Sequence, residues 1–213
     1  MTDVSPRLSR PTFYPIIDAD VCREYRHDPL AVATACLRGG ATLIQLRQKH
    51  ASGGEALALA DAVVSAARTY GAAIIVNDRA DIARLSGASG VHVGQDDLSV
   101  DDVRRVVGSE ALVGISTHEA AQVDAAREQA VDYVAVGPIY GTATKETGYP
   151  ARGIDLIRYA ARGDRPVAAI GGITLERTRE IVGAGATLIA VISDILRDDP
   201  ERRTRQFIDL LHV

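Results

Sequence analysis

The sequence has two cysteines, Cys22 and Cys36, and neither belongs to a C-x-x-C pair, which excludes a disulfide framework of the secreted kind and leaves two reduced, structural thiols. It also lacks a His/Cys spacing suited to zinc, a G-x-S-x-G nucleophile turn, and a G-x-G-x-x-G after its first apolar run. No apolar run approaches the ~18 residues of a membrane span, and the opening MTDVSPRLSRPTFYP has no apolar centre of the signal-peptide type. Positive charge is not in excess. With 24 Lys+Arg against 28 Asp+Glu the net charge is −4, so there is no broad basic surface for nucleic acid or anionic lipid, and any anion site must be local. The expectation is a cytoplasmic protein with neither nucleic acid nor membrane as partner, residues 1–10 forming a flexible lead-in and 11–213 one catalytic domain; a homo-oligomer is left open.

What is present is an alternation. Short apolar runs recur eight times, each followed by an alanine-rich stretch with apolar positions three and four apart, the pattern of parallel βα units. The strands predicted are Thr12–Asp18, Ala41–Arg47, Ala72–Asp78, Gly90–Gln95, Ala111–Ser116, Asp132–Pro138, Pro166–Gly172 and Leu188–Ser193. Most are nearly continuous Val/Ile/Leu/Ala runs, as strands buried on both faces require. Helices are predicted over Asp28–Arg38, Gly54–Tyr70, Val100–Val107, His118–Gln129, Leu175–Gly183 and Pro200–Leu211, with Ser99 and Thr174 as helix starts and Gly71, Gly108 and Gly185 as stops. Eight units close into a single-domain α/β (β/α)8 TIM barrel, and 213 residues lie near the lower end of the ~200 to >400 such barrels use. An open doubly wound sheet is the alternative. The longest irregular stretch, Ile139–Gly153, follows strand six.

In a barrel of this kind the chemistry sits at the carboxyl ends of the strands. Asp78 and Asp97 close adjacent strands there, and neighbouring strands are only ~4.8 Å apart, so both carboxylates can reach one cation. Magnesium is commonly held by one or two carboxylates with water and phosphate oxygens, although Asp after a strand is also a common helix cap. Arg47, Lys49 and Lys145 belong to the same end, a cation set suited to a multiply charged phosphate group. The Gly171-Gly172 turn and the small Ser193 suggest a second anion site on backbone N–H groups. Two such sites imply two phosphorylated small-molecule substrates or one bis-phosphate. His92 is expected as a hydrogen-bonded residue of the barrel interior, and His118 at the start of a helix.

The ordered segments QLRQK (Gln45–Lys49), NDR (Asn77–Arg79), GVHVGQDD (Gly90–Asp97), GIS (Gly114–Ser116), GPIYGTATK (Gly137–Lys145) and GGI (Gly171–Ile173) resemble the signature of the thiamine-phosphate synthases. The resemblance implies a magnesium-dependent transferase that joins a pyrimidine diphosphate to a thiazole phosphate and releases pyrophosphate. It implies that Gln45, Leu46, Arg47, Gln48, Lys49, Asn77, Ser116 and Lys145 surround the pyrimidine diphosphate, with Arg47, Lys49, Ser116 and Lys145 catalytic. It implies that Asp78 and Asp97 hold Mg2+, and that Thr142, Ala143, Thr144, Gly172, Ile192 and Ser193 receive the thiazole phosphate. Gln48 and His50 depart from the family pattern, where Glu and a small residue or Asp are usual. Two rival functions use the same barrel: a thiazole phosphate tautomerase with His118 as base, and a non-catalytic sensor of phosphorylated ligands.

Overall fold

The computed structural model describes residue 8, residues 10–141 and residues 149–212. Chain order runs β1 (Thr12–Asp18), α1 (Ala19–Glu24), α2 (Pro29–Arg38), β2 (Leu43–Arg47), α3 (Gly53–Thr69), β3 (Ala73–Asn77), α4 (Ala80–Ser86), β4 (Gly90–Val93), α5 (Val100–Val107), β5 (Leu112–Thr117), α6 (Ala120–Arg127), β6 (Tyr133–Val136), α7 (Ile154–Ala160), β7 (Val167–Ile170), α8 (Thr178–Gly183), β8 (Leu188–Val191) and α9 (Pro200–Leu211). All eight strands pair in parallel in sequence order, and β8 returns to β1 through Thr12 opposite Leu188. That last pairing closes the (β/α)8 barrel and removes the open-sheet alternative.

The strand period of two divides the core into two layers. Tyr14, Ile16, Leu43, Ile75, Leu112, Tyr133, Ala168, Leu188 and Ala190 face the barrel interior, whereas Phe13, Ile17, Ile44, Leu46, Ile74, Val91, Val113 and Val134 pack in the layer beneath the helices. Leu8 joins the interior cluster and is buried, so the lead-in expected over residues 1–10 contributes at least one apolar side chain to the barrel; its other residues, apart from Arg10, lie outside those described.

Strand ends fall one or two residues short of several sequence expectations, because the chain leaves the ladder where polar and glycine residues begin. Asp78 at φ 61°, Gly171 at φ 104° and Gly172 at φ 62° all turn out of the sheet immediately after strands that run only to Asn77 and Ile170. The short helices α1, α4 and α7 were not expected; six or seven residues are too few to display a clear 3.6-residue period. Helix starts follow local chemistry. Ser52 and Glu55 form a reciprocal capping box on α3, Ser99 accepts from the Asp102 N–H at 3.2 Å, and Asp28 and Asp199 cap helices that begin with proline. Thr174 makes no side-chain cap and precedes a 3-10 turn, Leu175–Arg177. No helix among the described residues is long and apolar enough to cross a membrane.

The seam between β1 and β8 is covered by α9, whose fully buried Phe207 stacks on Phe13 of β1 at 4.5 Å between ring centroids. Phe207→Ala removes that cover and leaves a cavity, so urea unfolding is expected to show a loss of about 3–5 kcal/mol. A loss below about 1 kcal/mol, the size of an ordinary surface change, would show that α9 does not hold the seam.

Candidate active site

A cavity opens at the carboxyl ends of the strands, and its wall includes Tyr14, Gln45, Arg47, Asn77, His92, Ser116, Ile170 and Ile192. Gln45 and Arg47 reach it because they share the inward parity of β2, two and four residues after Leu43. The same parity sends Leu46 into the outer layer, where it is 1% exposed. Gln48 turns away as well, its Nε2 donating to the Ala56 carbonyl of α3 at 3.1 Å. The structure therefore does not bring the side chains of Leu46 and Gln48 to the cavity with Gln45 and Arg47, and the Gln48 departure from the family pattern falls on a helix contact.

Asp78 takes a left-handed backbone conformation, a costly one for a residue with a Cβ, and its N–H donates to the His92 carbonyl of β4 at 2.7 Å. Asp97 folds back on its own turn, accepting from the Gly94 N–H at 2.7 Å through Oδ2. Burial holds the Asp78 carboxyl above the ordinary carboxylate range; Lys49 opposes this, and a hydrogen-bonding contact with Asp97 adds to it. The Lys49 ammonium pairs with Asp78 Oδ2, and Arg47 pairs with the buried Asp18. Asp18 in turn accepts from the N–H groups of Asp20 and Val21 at the start of α1, so the guanidinium is fixed to a helix end. His50 pairs with Asp20 at 2.8 Å.

Two facing carboxylates, one of them reluctant to ionise, make a site that a cation would relieve. Among the described residues no third carboxylate, His or Cys joins them to form a closed metal cage. That donor set suits Mg2+, which keeps water and substrate oxygens in its shell, better than metals that demand three or four protein ligands.

Deeper in the cavity lies a line of polar side chains that sequence reasoning did not assemble. Gln45 Nε2 donates to the Tyr14 hydroxyl at 3.0 Å, Tyr14 and Tyr133 share a hydrogen bond of 2.8 Å, and His92 reaches Tyr133 at 3.0 Å through Nδ1 and Ser116 Oγ at 2.9 Å through Nε2. The expectation for His92 agrees with this. Inward parity on β1 and β6 was the signal for the two tyrosines, and a glycine opposite one of them was the second: Gly114 pairs in register with Tyr133. Gln95 also supports Ser116, through a 2.7 Å bond to its carbonyl.

On the other side of the mouth, Gly171 and Gly172 both adopt positive φ, and Ile192 lines the cavity. Ser193 immediately precedes the 3-10 turn Asp194–Leu196, which is held by Arg203 on the buried Asp194 at 2.7 Å. Arg177 donates to the Gly172 carbonyl at 2.5 Å and lies 4.3 Å from the centre of the Tyr140 ring. His118 contacts the Gly137 carbonyl through Nδ1 at 2.6 Å and stacks on Tyr149. Thr142, Ala143, Thr144 and Lys145 lie outside the described residues.

A family model described as thiamine monophosphate synthase matches residues 13–195. The thiamine-phosphate synthase of Koribacter versatilis is 42% identical over 211 residues, spanning 96% of this chain and 98% of that protein. That of Mycolicibacterium smegmatis is 43% identical over 207 residues, 92% of this chain and 89% of the other. The solved thiamine phosphate pyrophosphorylase of Pyrococcus furiosus superposes with a TM-score of 0.87 at 26% identity, covering 99% of this chain and 98% of its own. With a matched model across most of its length and relatives above 40% identity along nearly all of it, this chain belongs to the thiamine monophosphate synthase family.

Proposed function

We propose that this protein joins 4-amino-2-methyl-5-(diphosphooxymethyl)pyrimidine to 4-methyl-5-(2-phosphooxyethyl)thiazole, or its 2-carboxy form, giving thiamine phosphate and pyrophosphate in the cytoplasm. Family membership supports the activity. The observation that carries the site is the meeting of Lys49, Asp78 and Asp97 beside a cavity walled by Gln45, Arg47, Asn77 and Ser116. The relatives are named as synthases, so neither the tautomerase nor the sensor is favoured.

In the reaction, the bond from the pyrimidine CH2 to the diphosphate oxygen breaks and the thiazole nitrogen lone pair forms the new C–N bond. An electron-rich aminopyrimidine stabilises positive charge on that carbon, so stabilising the departing diphosphate is the protein's main task. Arg47 is suited to it: Asp18 holds one edge of the guanidinium, and the planar fork has further N–H donors for phosphate oxygens. Lys49 carries its charge between Asp78 and the diphosphate. Asp78 and Asp97 would hold Mg2+, which when bound would supply further neutralisation of the diphosphate charge. Asn77 and Ser116 orient the pyrimidine or its leaving group at near-attack distance, and Lys145 adds a third cation. A ring nitrogen already has its lone pair, so no side chain has to remove a proton. Gly172, Ile192 and Ser193 with Thr142, Ala143 and Thr144 receive the thiazole phosphate, where backbone N–H groups at a positive-φ turn can approach closely.

Incubation with both substrates and Mg2+ is expected to yield thiamine phosphate and pyrophosphate, and omission of any one component to abolish them; isomerised thiazole phosphate without condensation would replace this reading with the tautomerase. Asp97→Asn is expected to raise the Mg2+ concentration giving half-maximal rate by at least about tenfold, the lower end of what weakened metal coordination costs. An unaltered magnesium titration in that variant would remove Asp97 from the metal site. At Gly172, an added Cβ sits 2.7 Å from the Gly141 carbonyl oxygen and 2.9 Å from Tyr140 Cβ, at a φ that L side chains avoid. Gly172→Ala is therefore expected to raise KM for thiazole phosphate while leaving KM for the pyrimidine diphosphate nearly unchanged, and the reverse pattern in steady-state kinetics would move the second phosphate elsewhere.

A further inference from the structure

The line Gln45, Tyr14, Tyr133, His92, Ser116 crosses the barrel interior without a break, and its protons can be counted. Burial pushes the pKa of both phenols upward, so each keeps one proton. With Gln45 Nε2 donating to Tyr14, Tyr14 donates to Tyr133 and Tyr133 to His92 Nδ1. A neutral His92 then carries its proton on Nε2 and donates to Ser116 Oγ, which turns the serine proton toward the cavity. The opposite polarity is equally self-consistent. If the Gln45 amide turns over, every bond in the line reverses, the His92 proton moves to Nδ1, and Ser116 donates inward and presents only lone pairs to the cavity. While the imidazole carries a single proton, no state in between satisfies all the buried groups.

The line is built into the fold. Tyr14 and Tyr133 are 1% and 0% exposed, so neither hydroxyl can exchange its partner for bulk water. Tyr133 reaches the barrel axis only because Gly114 opposite it has no side chain; a Cβ there would overlap the Tyr133 Cζ and hydroxyl.

We propose that Tyr14, Tyr133 and His92 are positioning residues that couple the amide of Gln45 to the hydroxyl of Ser116, and that this coupling makes the cavity select a pyrimidine with an amino group over its oxo counterpart. The proposal rests on the pyrimidine diphosphate reading of the cavity. An amino group beside a ring nitrogen presents a donor and an acceptor, which match Gln45 in the orientation observed. An oxo ring presents a carbonyl and an N–H, and so requires the amide to turn over. Through the line that turn makes Ser116 an acceptor, whereas the ring nitrogen remote from the substituted pair, which this assignment gives to Ser116, carries a lone pair in both compounds. The oxo ring can therefore be matched at one end only, whereas the amino ring is matched at both.

Two measurements test this. The first is calorimetric binding of the 4-amino and 4-oxo forms of the 2-methyl-5-(phosphooxymethyl)pyrimidine monophosphate, which lack the leaving diphosphate. The wild type is expected to prefer the amino form by at least about tenfold, the worth of one unmade buried hydrogen bond. Tyr133→Phe and Tyr14→Phe, each checked for its melting temperature, free Gln45 to turn without Ser116 and are expected to bring the ratio within about threefold of unity, on the same conversion of free energy to affinity. A preference that persists undiminished in both folded variants overturns the coupling, as does a wild type with no preference. The second is the His92 tautomer in the ligand-free protein, read from 15N–1H correlation of the imidazole at a pH where it is neutral. The Nε2–H form is expected, and an Nδ1–H form overturns the assigned polarity. If the wild type binds neither monophosphate, the pyrimidine reading has failed, while the tautomer still decides the direction of the line.

Discussion

On the inner wall of a closed parallel barrel, the backbone is spent on its own ladder and bulk water is absent, so each polar side chain must be satisfied by another inner-wall side chain or by what enters from the mouth. The axis of this protein is arranged around that constraint. Its lower part is apolar, with Leu8, Leu43, Leu112 and Leu188 in one cluster, and needs no polar partner. Higher up, Tyr14 and Tyr133 satisfy each other and hand the remaining capacity to Gln45 and His92. At the mouth, Gln45, Arg47, Asn77 and Ser116 line the cavity and can offer hydrogen bonds to a ligand. The gradient from hydrocarbon to charge along one axis positions the site, and the strand period produces it.

The electrostatics of the mouth follow from the same crowding. Asp78 and Asp97 lie in the turns after the neighbouring strands β3 and β4, which brings like charges together, a costly arrangement unless cations stand close by. Lys49 supplies one cation directly. Arg47 is committed in part to Asp18, which makes it a rigid feature of the wall rather than a mobile charge. Left-handed geometry at Asp78 is a local strain, whereas Gly171 and Gly172 reach positive φ freely on the other side of the opening; both turns are held by hydrogen bonds from other elements.

The barrel was legible in the sequence because strands buried on both faces leave unbroken apolar runs, and eight of them with helical stretches between leave few alternatives. The charged residues of the mouth were legible because position alone, at the end of a strand, carries the information. Leu46 and Gln48 show where this fails. They lie within the same five-residue segment as Gln45, Arg47 and Lys49, yet the pleat and a helix carbonyl take them elsewhere, and a motif has no faces. The interior line was hidden for a related reason: Tyr14 and Tyr133 look like any aromatic residues in apolar runs until closure of the barrel brings their hydroxyls together across its interior. Arg177 was hidden because its partner, the Gly172 carbonyl, is a backbone atom that no residue type announces.

The pairing of Thr12 with Leu188 joins the two most distant strands of the sheet. As a ribosome extends the chain, β1 finds β2 early but keeps a bare edge until β8 has emerged. For most of its synthesis the protein is an open, twisted sheet with two unpaired margins, the form most prone to sticking to other nascent chains. Phe207 on α9, which stacks on Phe13 of β1, follows β8 in the chain, so it can cover β1 only after the last strand has emerged.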